Sequence, residues 1–397
     1  MPQPIYFDNH STTRCDPRVV EARLPYFTEE YGNAASTTHP FGWQAKEDVD
    51  AARASIAEAI GAKAKEIVFT SGATESNNLA LRGVMMHPRQ KRQGIVSVAT
   101  EHPSILDPLE NLARDGFDVK LIGVDQDGTP SSGVVRLDEL EDAVDEQTAL
   151  VSVMLANNEI GAIQPLSQIA EICRRHDVLL HCDATQAVGK VPVDVRALGV
   201  DVMSFSAHKF YGPKGVGALY FRRGGSPVRI LAQLLGGGHE SGLRSGTLNV
   251  PGIIGMARAL ELCHEEMEDE NERLAGLRAH LWKGLADRVD GIAINGPTID
   301  DLTLRLTGNL NLRFEYVDGE ALLMSVQDLA MSSGSACTSA EPEPSHVLRA
   351  LGLSEDDARS SIRIGLGRFN TREEVEIAIE SLAEAVGRLR KLSSMTR

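Results

Sequence analysis

The chain has 397 residues, of which 42% are hydrophobic and 24% are charged, as is usual for a globular protein of two or three domains. The formal net charge of −16 argues against a nucleic-acid polyanion as a direct ligand. No apolar run is long enough to cross a bilayer, and the N-terminus has no basic, apolar signal segment, so we expect a cytoplasmic protein without a membrane partner. Five irregularly spaced cysteines do not indicate a disulfide framework.

Strands and helices alternate in the first half of the chain. Residues 43–60 have helical periodicity and stop at Gly61. Continuous apolar runs then predict strands at 66–70, 94–99, 119–124, 149–155, 178–182, 202–205 and 217–221, with a helix at 165–176 among them. Apolar strands separated by helices are typical of an α/β fold whose mostly parallel sheet is covered on both faces.

The second half begins with a glycine-rich loop at 236–250 and a long helical segment from Pro251 to about Val289. Beyond it the sequence predicts a smaller α+β unit, with strands near 302–314 and 361–364, helices near 319–328 and 344–351, and a last helix from Thr371. We therefore predict a large domain over 16–262, and a small domain made of 1–15 and 263–397.

Lys209 is an unusual residue in this pattern. It follows the apolar strand at 202–205, with Ser206 and His208 beside it and a glycine-rich turn after it. Most lysines lie on solvated surfaces, and Lys214 fits that description. A desolvated lysine has a lowered pKa and is a competent amine nucleophile, so we predict that Lys209 is catalytic.

Other strand ends carry groups that would complete a pyridoxal phosphate site. Residues 71–74, which include Ala73 and Thr74, lie between a strand and a helix, where backbone N–H groups and the helix dipole favour phosphate. Asp183 ends an apolar strand, and a pyridinium N–H would suit a buried carboxylate there, although a helix cap is the ordinary alternative. His102 follows another strand, where it is a candidate for stacking on the cofactor ring and for proton exchange, with an ordinary turn residue as the alternative.

Cys337 defines a second candidate centre. It stands in a run of small residues over 332–340, which cannot pack a core and is typical of a mobile surface loop. A cysteine in that setting indicates reactivity rather than packing. The other four cysteines lie in or beside regular elements, and we interpret them as small apolar residues: Cys15, Cys173, Cys182 and Cys263.

Residues 179–217 closely resemble the cofactor motif of class V aminotransferase-like enzymes, which are fold-type I pyridoxal phosphate proteins. Within that group the chain resembles a cysteine desulfurase of the kind that supplies sulfur for iron–sulfur clusters. The resemblance covers essentially the whole chain. The other matching segments are 6–13, 70–78, 100–102, 157–161, 244–247 and 332–351.

The resemblance implies a role for each candidate residue around the cofactor. Lys209 would hold the cofactor's aldehyde, and Asp183 would pair with its ring nitrogen. Gln186 and Asn158 would contact the ring side. The phosphate ligands would be Thr74, Ser206, His208 and, reaching the other subunit of a homodimer, Thr247.

The resemblance also implies the reaction, which converts L-cysteine to L-alanine. Lys209 would remove the α-proton, His102 would exchange protons near the substrate thiol, and the Cys337 thiolate would take the sulfur as a persulfide. Arg363 would clamp the substrate carboxylate, with Asn158 also near the substrate. The sulfur would pass to an iron–sulfur scaffold or a sulfur-carrier protein. No metal site is expected, apart from Cys337 as a transient iron–sulfur ligand.

Two kinds of alternative remain at this point. A related enzyme, such as a selenocysteine lyase, a cysteine sulfinate desulfinase or a transaminase, would share the cofactor site but would not need Cys337. A platform that binds a scaffold protein with little turnover would not need the intact Lys209 and Asp183.

Overall fold

The computed structural model describes residues 4–333 and 344–395. The strands of this described chain are β1 (Ile5–Tyr6), β2 (Ile67–Thr70), β3 (Gly94–Val98), β4 (Asp118–Ile122), β5 (Thr148–Ser152), β6 (Leu179–Asp183), β7 (Val202–Ser206), β8 (Gly217–Phe221), β9 (Ile292–Ile294), β10 (Asn309–Phe314), β11 (Leu329–Ala330) and β12 (Ser361–Gly365). The α-helices are α1 (Pro17–Arg23), α2 (Pro25–Thr28), α3 (Pro40–Ala59), α4 (Ala73–Met85), α5 (Pro103–Arg114), α6 (Leu137–Ala143), α7 (Leu166–Arg175), α8 (Val250–Ala286), α9 (Gly319–Ser325), α10 (His346–Ala350), α11 (Glu355–Arg359) and α12 (Arg372–Met395).

A seven-stranded sheet forms the larger layer, in the order β2-β8-β7-β6-β5-β3-β4. Strands β3 to β7 pair in parallel, whereas β8 is antiparallel to both of its neighbours. Strand β2 therefore runs in the same direction as β7. As a result the carboxyl ends of β2, β3, β5, β6 and β7 all lie at one edge of the sheet.

Both faces of this sheet are buried, which explains the continuous apolar runs in its strands. On β3, Ile95 packs into one hydrophobic cluster and Val96 into another, because successive side chains of a strand point to opposite faces. Helices α4 and α5 contribute to the first cluster, and α3, α7 and the first part of α8 to the second. The predicted sheet, mostly parallel and covered on both faces, is confirmed.

A smaller antiparallel sheet has the order β12-β10-β9. It packs against α12 and the second part of α8 in a hydrophobic cluster of its own. Helix α8 thus joins the two cores, as the long predicted helix would. Where one domain ends and the next begins stays a prediction.

The N-terminal arm crosses from the smaller sheet to the larger one. Strand β1 pairs in parallel with β11, and Asp8 forms a bridge with Gly365. The arm then continues to the carboxyl edge of the seven-stranded sheet, where the backbone N–H of Thr13 donates to the His208 carbonyl at 2.9 Å.

The predicted strand near 302–314 is too long, because only Asn309–Phe314 forms a strand. The backbone of 304–306 instead hydrogen-bonds to the turn at 161–163. The Arg305 side chain is buried there and donates to the carbonyls of Pro297 and Asn295. Within the described ranges, no helix combines the length and hydropathy needed to span a membrane.

Candidate active site

A cavity of about 470 Å³ opens at the carboxyl edge of the seven-stranded sheet. Strands β2, β3, β5, β6 and β7 all end there, so the turns that follow them form its walls. This is the position where open α/β sheets bind ligands. The predicted site residues that line it are Ala73, Thr74, His102, Asn158, Asp183, Gln186, Ser206, His208 and Lys209.

Lys209 lies at the end of the short turn that follows β7. Its Nζ donates to the carbonyl oxygens of His10 and Ser11, both at 2.7 Å. Burial, with the nearby charge of Arg363 as the second cause, lowers the pKa of Lys209 to about 8. A lysine with that pKa supplies a neutral amine near physiological pH, as nucleophilic and base chemistry requires.

The opposite wall has the features of an anion site. Residues 71–74 enter α4, so the free N–H groups of its first turn and its dipole face the cavity. The Cα of Gly72 approaches β8 so closely that a Cβ on Gly217 would lie 2.7 Å from it. His208 Nδ1 lies 3.1 Å from Thr12 Oγ1, and burial with the charge of Lys209 lowers the pKa of His208 to about 4. The imidazole is therefore neutral.

Asp183 is 4% exposed and lies at the end of β6. Its Oδ1 accepts from the backbone N–H of Thr185 at 2.9 Å, and its Oδ2 accepts from Asn77 Nδ2 at 2.8 Å. No cationic side chain in the described ranges forms an ion pair with it, although it lines the cavity. A buried carboxylate without a cation is costly, and a protonated pyridine nitrogen would complete its surroundings.

His102 caps a helix and also lines the cavity, so its role in proton exchange stays a prediction. Its Nδ1 accepts from the backbone N–H of Ser104 at 3.1 Å, which caps α5. Because Nδ1 accepts, the ring proton is assigned to Nε2. The ring is open to the cavity, yet enough protein surrounds it that desolvation lowers the pKa of His102. A neutral imidazole thus faces the cavity.

Arg363 lies on β12, at the junction of the two sheets. Its guanidinium donates to Asp8 Oδ1 at 2.8 Å, to Ser11 Oγ at 2.6 Å and to the Asn158 carbonyl at 3.1 Å. Its Nε is buried without a hydrogen-bond partner. The Arg363 side chain does not line the cavity, so its predicted contact with the substrate carboxylate stays a prediction.

Of the remaining predicted residues, Thr247 lies in the described part of the chain and Cys337 does not. Thr247 is exposed on the glycine-rich segment and is not part of the cavity lining. Arg244 of the same segment pairs with Glu75 of α4 at 2.7 Å, which holds the segment beside the anion site. Cys337 lies outside the described residues.

The chain on either side of 334–343 is fixed to the walls of the site. Before that segment, the N–H of Arg363 donates to the Ser332 carbonyl at 2.7 Å. After it, Ser345 Oγ donates to Glu159 Oε2 at 2.5 Å, and His346 Nε2 donates to the Glu101 carbonyl at 2.9 Å. Glu159 and Glu101 adjoin Asn158 and His102. The attachments on both sides therefore border predicted site residues.

Sequence reasoning missed three residues of the site. Asn77 is fully buried and bonds to Asp183, while the His10 carbonyl is a shared acceptor for Lys209 and Gln186. Lys190 donates to Gln186 Oε1 at 2.6 Å. Asn77 could have been noticed in the sequence, because it is a polar residue one turn inside a helix whose face is otherwise apolar. Lys190 carries no signal that separates it from a surface lysine.

Comparisons with known proteins agree with this geometry. Residues 5–377 match the family model described as aminotransferase class-V. The chain belongs to the class-V aminotransferase family. It groups there with the cysteine desulfurases: it is 54% identical over 395 residues to "Cysteine desulfurase IscS" of Anaeromyxobacter dehalogenans, covering 99% of this chain and 95% of the relative.

Solved structures show the same family relation. A protein titled "NIFS-LIKE PROTEIN" superposes with a TM-score of 0.87 at 40% identity, and the superposition covers 97% of this chain and 100% of that chain. A structure titled "SspA in complex with cysteine" has a TM-score of 0.79 at 31% identity, covering 92% of this chain and 99% of that one. The enzymes of this family depend on pyridoxal phosphate, and so does this member.

The described residues fit that cofactor. The cavity offers an amine of lowered pKa, a buried carboxylate without a cation, and a helix N-terminus next to a close approach of two glycines. These are the three partners that the aldehyde, the ring nitrogen and the phosphate of pyridoxal phosphate require. The role of each individual side chain stays a prediction.

Proposed function

We propose that the protein is a cysteine desulfurase that converts L-cysteine to L-alanine and passes the sulfur to acceptor proteins for iron–sulfur cluster assembly. The observation that supports this best is the uncompensated Asp183 carboxylate in the same cavity as the Lys209 amine. A relative named as a cysteine desulfurase, matched over nearly its whole length, supports the choice of substrate.

When bound, pyridoxal phosphate stabilises negative charge at the α-carbon of an amino acid. Asp183, held by Asn77 and the Thr185 N–H, would accept a hydrogen bond from the ring nitrogen of that cofactor. The Lys209 amine takes the substrate's α-proton, since its lowered pKa leaves it partly neutral near pH 7. The neutral His102, with its proton on Nε2, exchanges protons at the substrate thiol.

Cys337 completes the reaction as the sulfur acceptor. Its thiolate forms an S–S bond with the substrate sulfur while the substrate's Cβ–S bond breaks and leaves its electron pair on the carbon side. Cβ then takes up a proton, so that a persulfide and alanine result. Arg363 is the group that we propose for the substrate carboxylate. Its carboxylate partner in this arrangement, Asp8, would be exchanged for that of the substrate.

We further propose a homodimer in which Thr247 contacts the phosphate bound by the other subunit. The exposed Thr247 lies outside the cavity of its own chain. Large apolar side chains are exposed in and beside α2, on α3 and just before the glycine-rich segment, where they would suit a subunit interface: Leu24, Phe27, Tyr31, Phe41, Trp43 and Leu235. Light scattering at low micromolar concentration would test this, and a monomer would contradict it.

The acceptor of the sulfur is proposed to be an iron–sulfur scaffold or a sulfur-carrier protein. Cys15, Cys173, Cys182 and Cys263 are all free thiols. Free thiols suit a reducing compartment, and we propose a cytoplasmic location on that ground.

One experiment tests the central proposal. The holoenzyme is incubated with L-cysteine and a thiol reductant, alanine and sulfide are measured, and the persulfide is located by alkylation and mass spectrometry. We expect the persulfide on Cys337, and sulfide release lost in Cys337→Ser but kept in Cys15→Ser, which removes a half-buried thiol. Full sulfide release by Cys337→Ser would refute the mechanism.

A further inference from the structure

Lys190 is a half-buried lysine that the reaction above does not use. Its Nζ donates to Gln186 Oε1 at 2.6 Å, and among the described residues no carboxylate forms an ion pair with it. It borders a cavity of about 20 Å³, with room for about one water molecule, which His10 and Glu270 also line. Burial, with the charge of Lys209 as the second cause, lowers the pKa of Lys190 to about 7.

Two groups contact the Gln186 amide oxygen: Lys190 donates to it at 2.6 Å, and His10 Nδ1 lies 3.3 Å from it. The bond from Lys190 is the shorter of the two and favours one orientation of the amide. The charged ammonium has only donors and the His10 carbonyl can only accept, so these two neighbours together place the amide oxygen on the Lys190 side. The Gln186 NH₂ then points to the His10 carbonyl, to which it donates at 2.8 Å. That carbonyl also accepts from Lys209 at 2.7 Å. A flipped amide would set its oxygen against the His10 carbonyl oxygen, with no donor between them.

The orientation of the Gln186 amide matters for function because it determines where the second hydrogen of the NH₂ can donate. One hydrogen is used on the His10 carbonyl, and Gln186 is 3% exposed while lining the cavity that holds Lys209. The fixed amide orientation leaves its other N–H available for an acceptor oxygen of the ligand in that cavity. It also keeps the His10 carbonyl in place as an acceptor for Lys209.

We propose that Lys190 is a positioning residue, which orients the Gln186 amide so that its NH₂ serves both the His10 carbonyl and the ligand in the Lys209 cavity. The proposal rests on the proposed function only in taking that ligand to be pyridoxal phosphate. The charged and titratable groups around Lys190 that could also act on it are His10, Lys209, Glu270, Cys263 and Arg363.

Lys190→Met tests the proposal, because methionine has a similar length and no donor. In the holoenzyme we expect the visible absorption of the bound cofactor to titrate with a midpoint changed by about half a pH unit or more. We expect kcat to fall about tenfold while KM for L-cysteine changes less than about twofold, since the effect lies at the cofactor. Lys190→Arg, which keeps donors, should restore most of both.

A double-mutant cycle with Gln186→Ala separates positioning from a purely structural role. If Lys190 acts through Gln186, Lys190→Met should change neither the absorption titration nor kcat further in the Gln186→Ala background. An equal effect in both backgrounds would overturn the proposal, and so would a wild-type titration and kcat in Lys190→Met alone. If Lys190→Met fails to fold, Lys190→Leu replaces it in the same cycle.

Failure of the proposed function would look different. In that case the wild-type holoenzyme would bind pyridoxal phosphate but produce no alanine from L-cysteine. The absorption titration of the Lys190 and Gln186 variants would remain informative, because it requires only the bound cofactor.

Discussion

Asn77→Asp places a second carboxyl group against Asp183 with almost no change in shape. The Asn77 Nδ2 lies 2.8 Å from Asp183 Oδ2 in a fully buried position. Two negative charges at that distance repel each other by about 6 kcal/mol at an effective dielectric constant of about 20, which corresponds to about 4 pKa units. The introduced carboxyl should therefore have a pKa of about 8 in the folded apoenzyme, against about 3.9 in the unfolded chain.

The sign of the pH effect follows from this difference. Between about pH 4 and about pH 8 the folded variant binds a proton that the unfolded chain has lost, so its stability falls as the pH rises. The slope is about 1.4 kcal/mol per pH unit, and the variant should lose about 3 kcal/mol more than wild type between pH 5 and about pH 7. Below about pH 8 the carboxyl introduced in the folded variant is protonated and donates to Asp183 much as the amide does, so the loss of stability between about pH 4 and about pH 8 comes from ionisation of the unfolded chain.

Urea unfolding of the apoenzyme at several pH values measures the effect. Asn77→Ala is the matched comparison, because it removes the same hydrogen bond without adding a charge, and its loss of stability should be nearly independent of pH over this interval. If the stability difference between the two variants stayed constant from about pH 5 to about pH 7, the buried contact between Asn77 and Asp183 would be wrong.

Three further outcomes are expected. Because the pKa of Lys209 is lowered, the rate at which pyridoxal phosphate loads onto the apoenzyme should increase from about pH 7 to about pH 9 and then level off. Stopped-flow absorption measures this rate, and a rate still rising steeply at about pH 10 would indicate a lysine of ordinary pKa. Ser345→Ala removes the cap of α10 and the hydrogen bond to Glu159, and should lower the free energy of unfolding by about 1–3 kcal/mol. An unchanged midpoint of urea unfolding would contradict the stabilising role of these two contacts. Gly217→Ala sets a methyl group against the backbone of Gly72 and should weaken cofactor affinity about tenfold or more in a fluorescence titration. Gly224→Ala, whose added Cβ would have no atom within 4 Å, should not.

The main features of the fold and of the cavity follow from short stretches of sequence. Each apolar run of the large sheet is long enough to predict a strand, and the polar residues after it fall at one edge because parallel strands end together. Lys209 and Asp183 could therefore be placed near each other without coordinates. The cofactor class follows from those two residue types at strand ends.

The features that the sequence analysis missed or predicted wrongly depend on packing between segments that are distant in the chain. Asn77 lies one turn inside α4, and whether it meets Asp183 depends on how that helix lies on the sheet. Lys190 follows a glycine and looks like a surface lysine, yet its turn folds under the N-terminal arm. In the region 302–314, where the sequence predicts strand structure, only Asn309–Phe314 forms a strand, because the buried Arg305 side chain donates to the carbonyls of Pro297 and Asn295. Sequence periodicity does not encode any of these contacts.

The N-terminal arm also has a consequence for synthesis of the protein. Ile5 pairs with Leu329 and Asp8 with Gly365, and the carbonyls of His10 and Ser11 are the acceptors of Lys209. At about 5–20 residues per second, a ribosome needs roughly 20 to 70 s to go from one end of these pairings to the other. Throughout that interval the arm has no partner strand to hold it over the cavity. A nascent chain therefore completes the surroundings of Lys209 only after β12 has emerged.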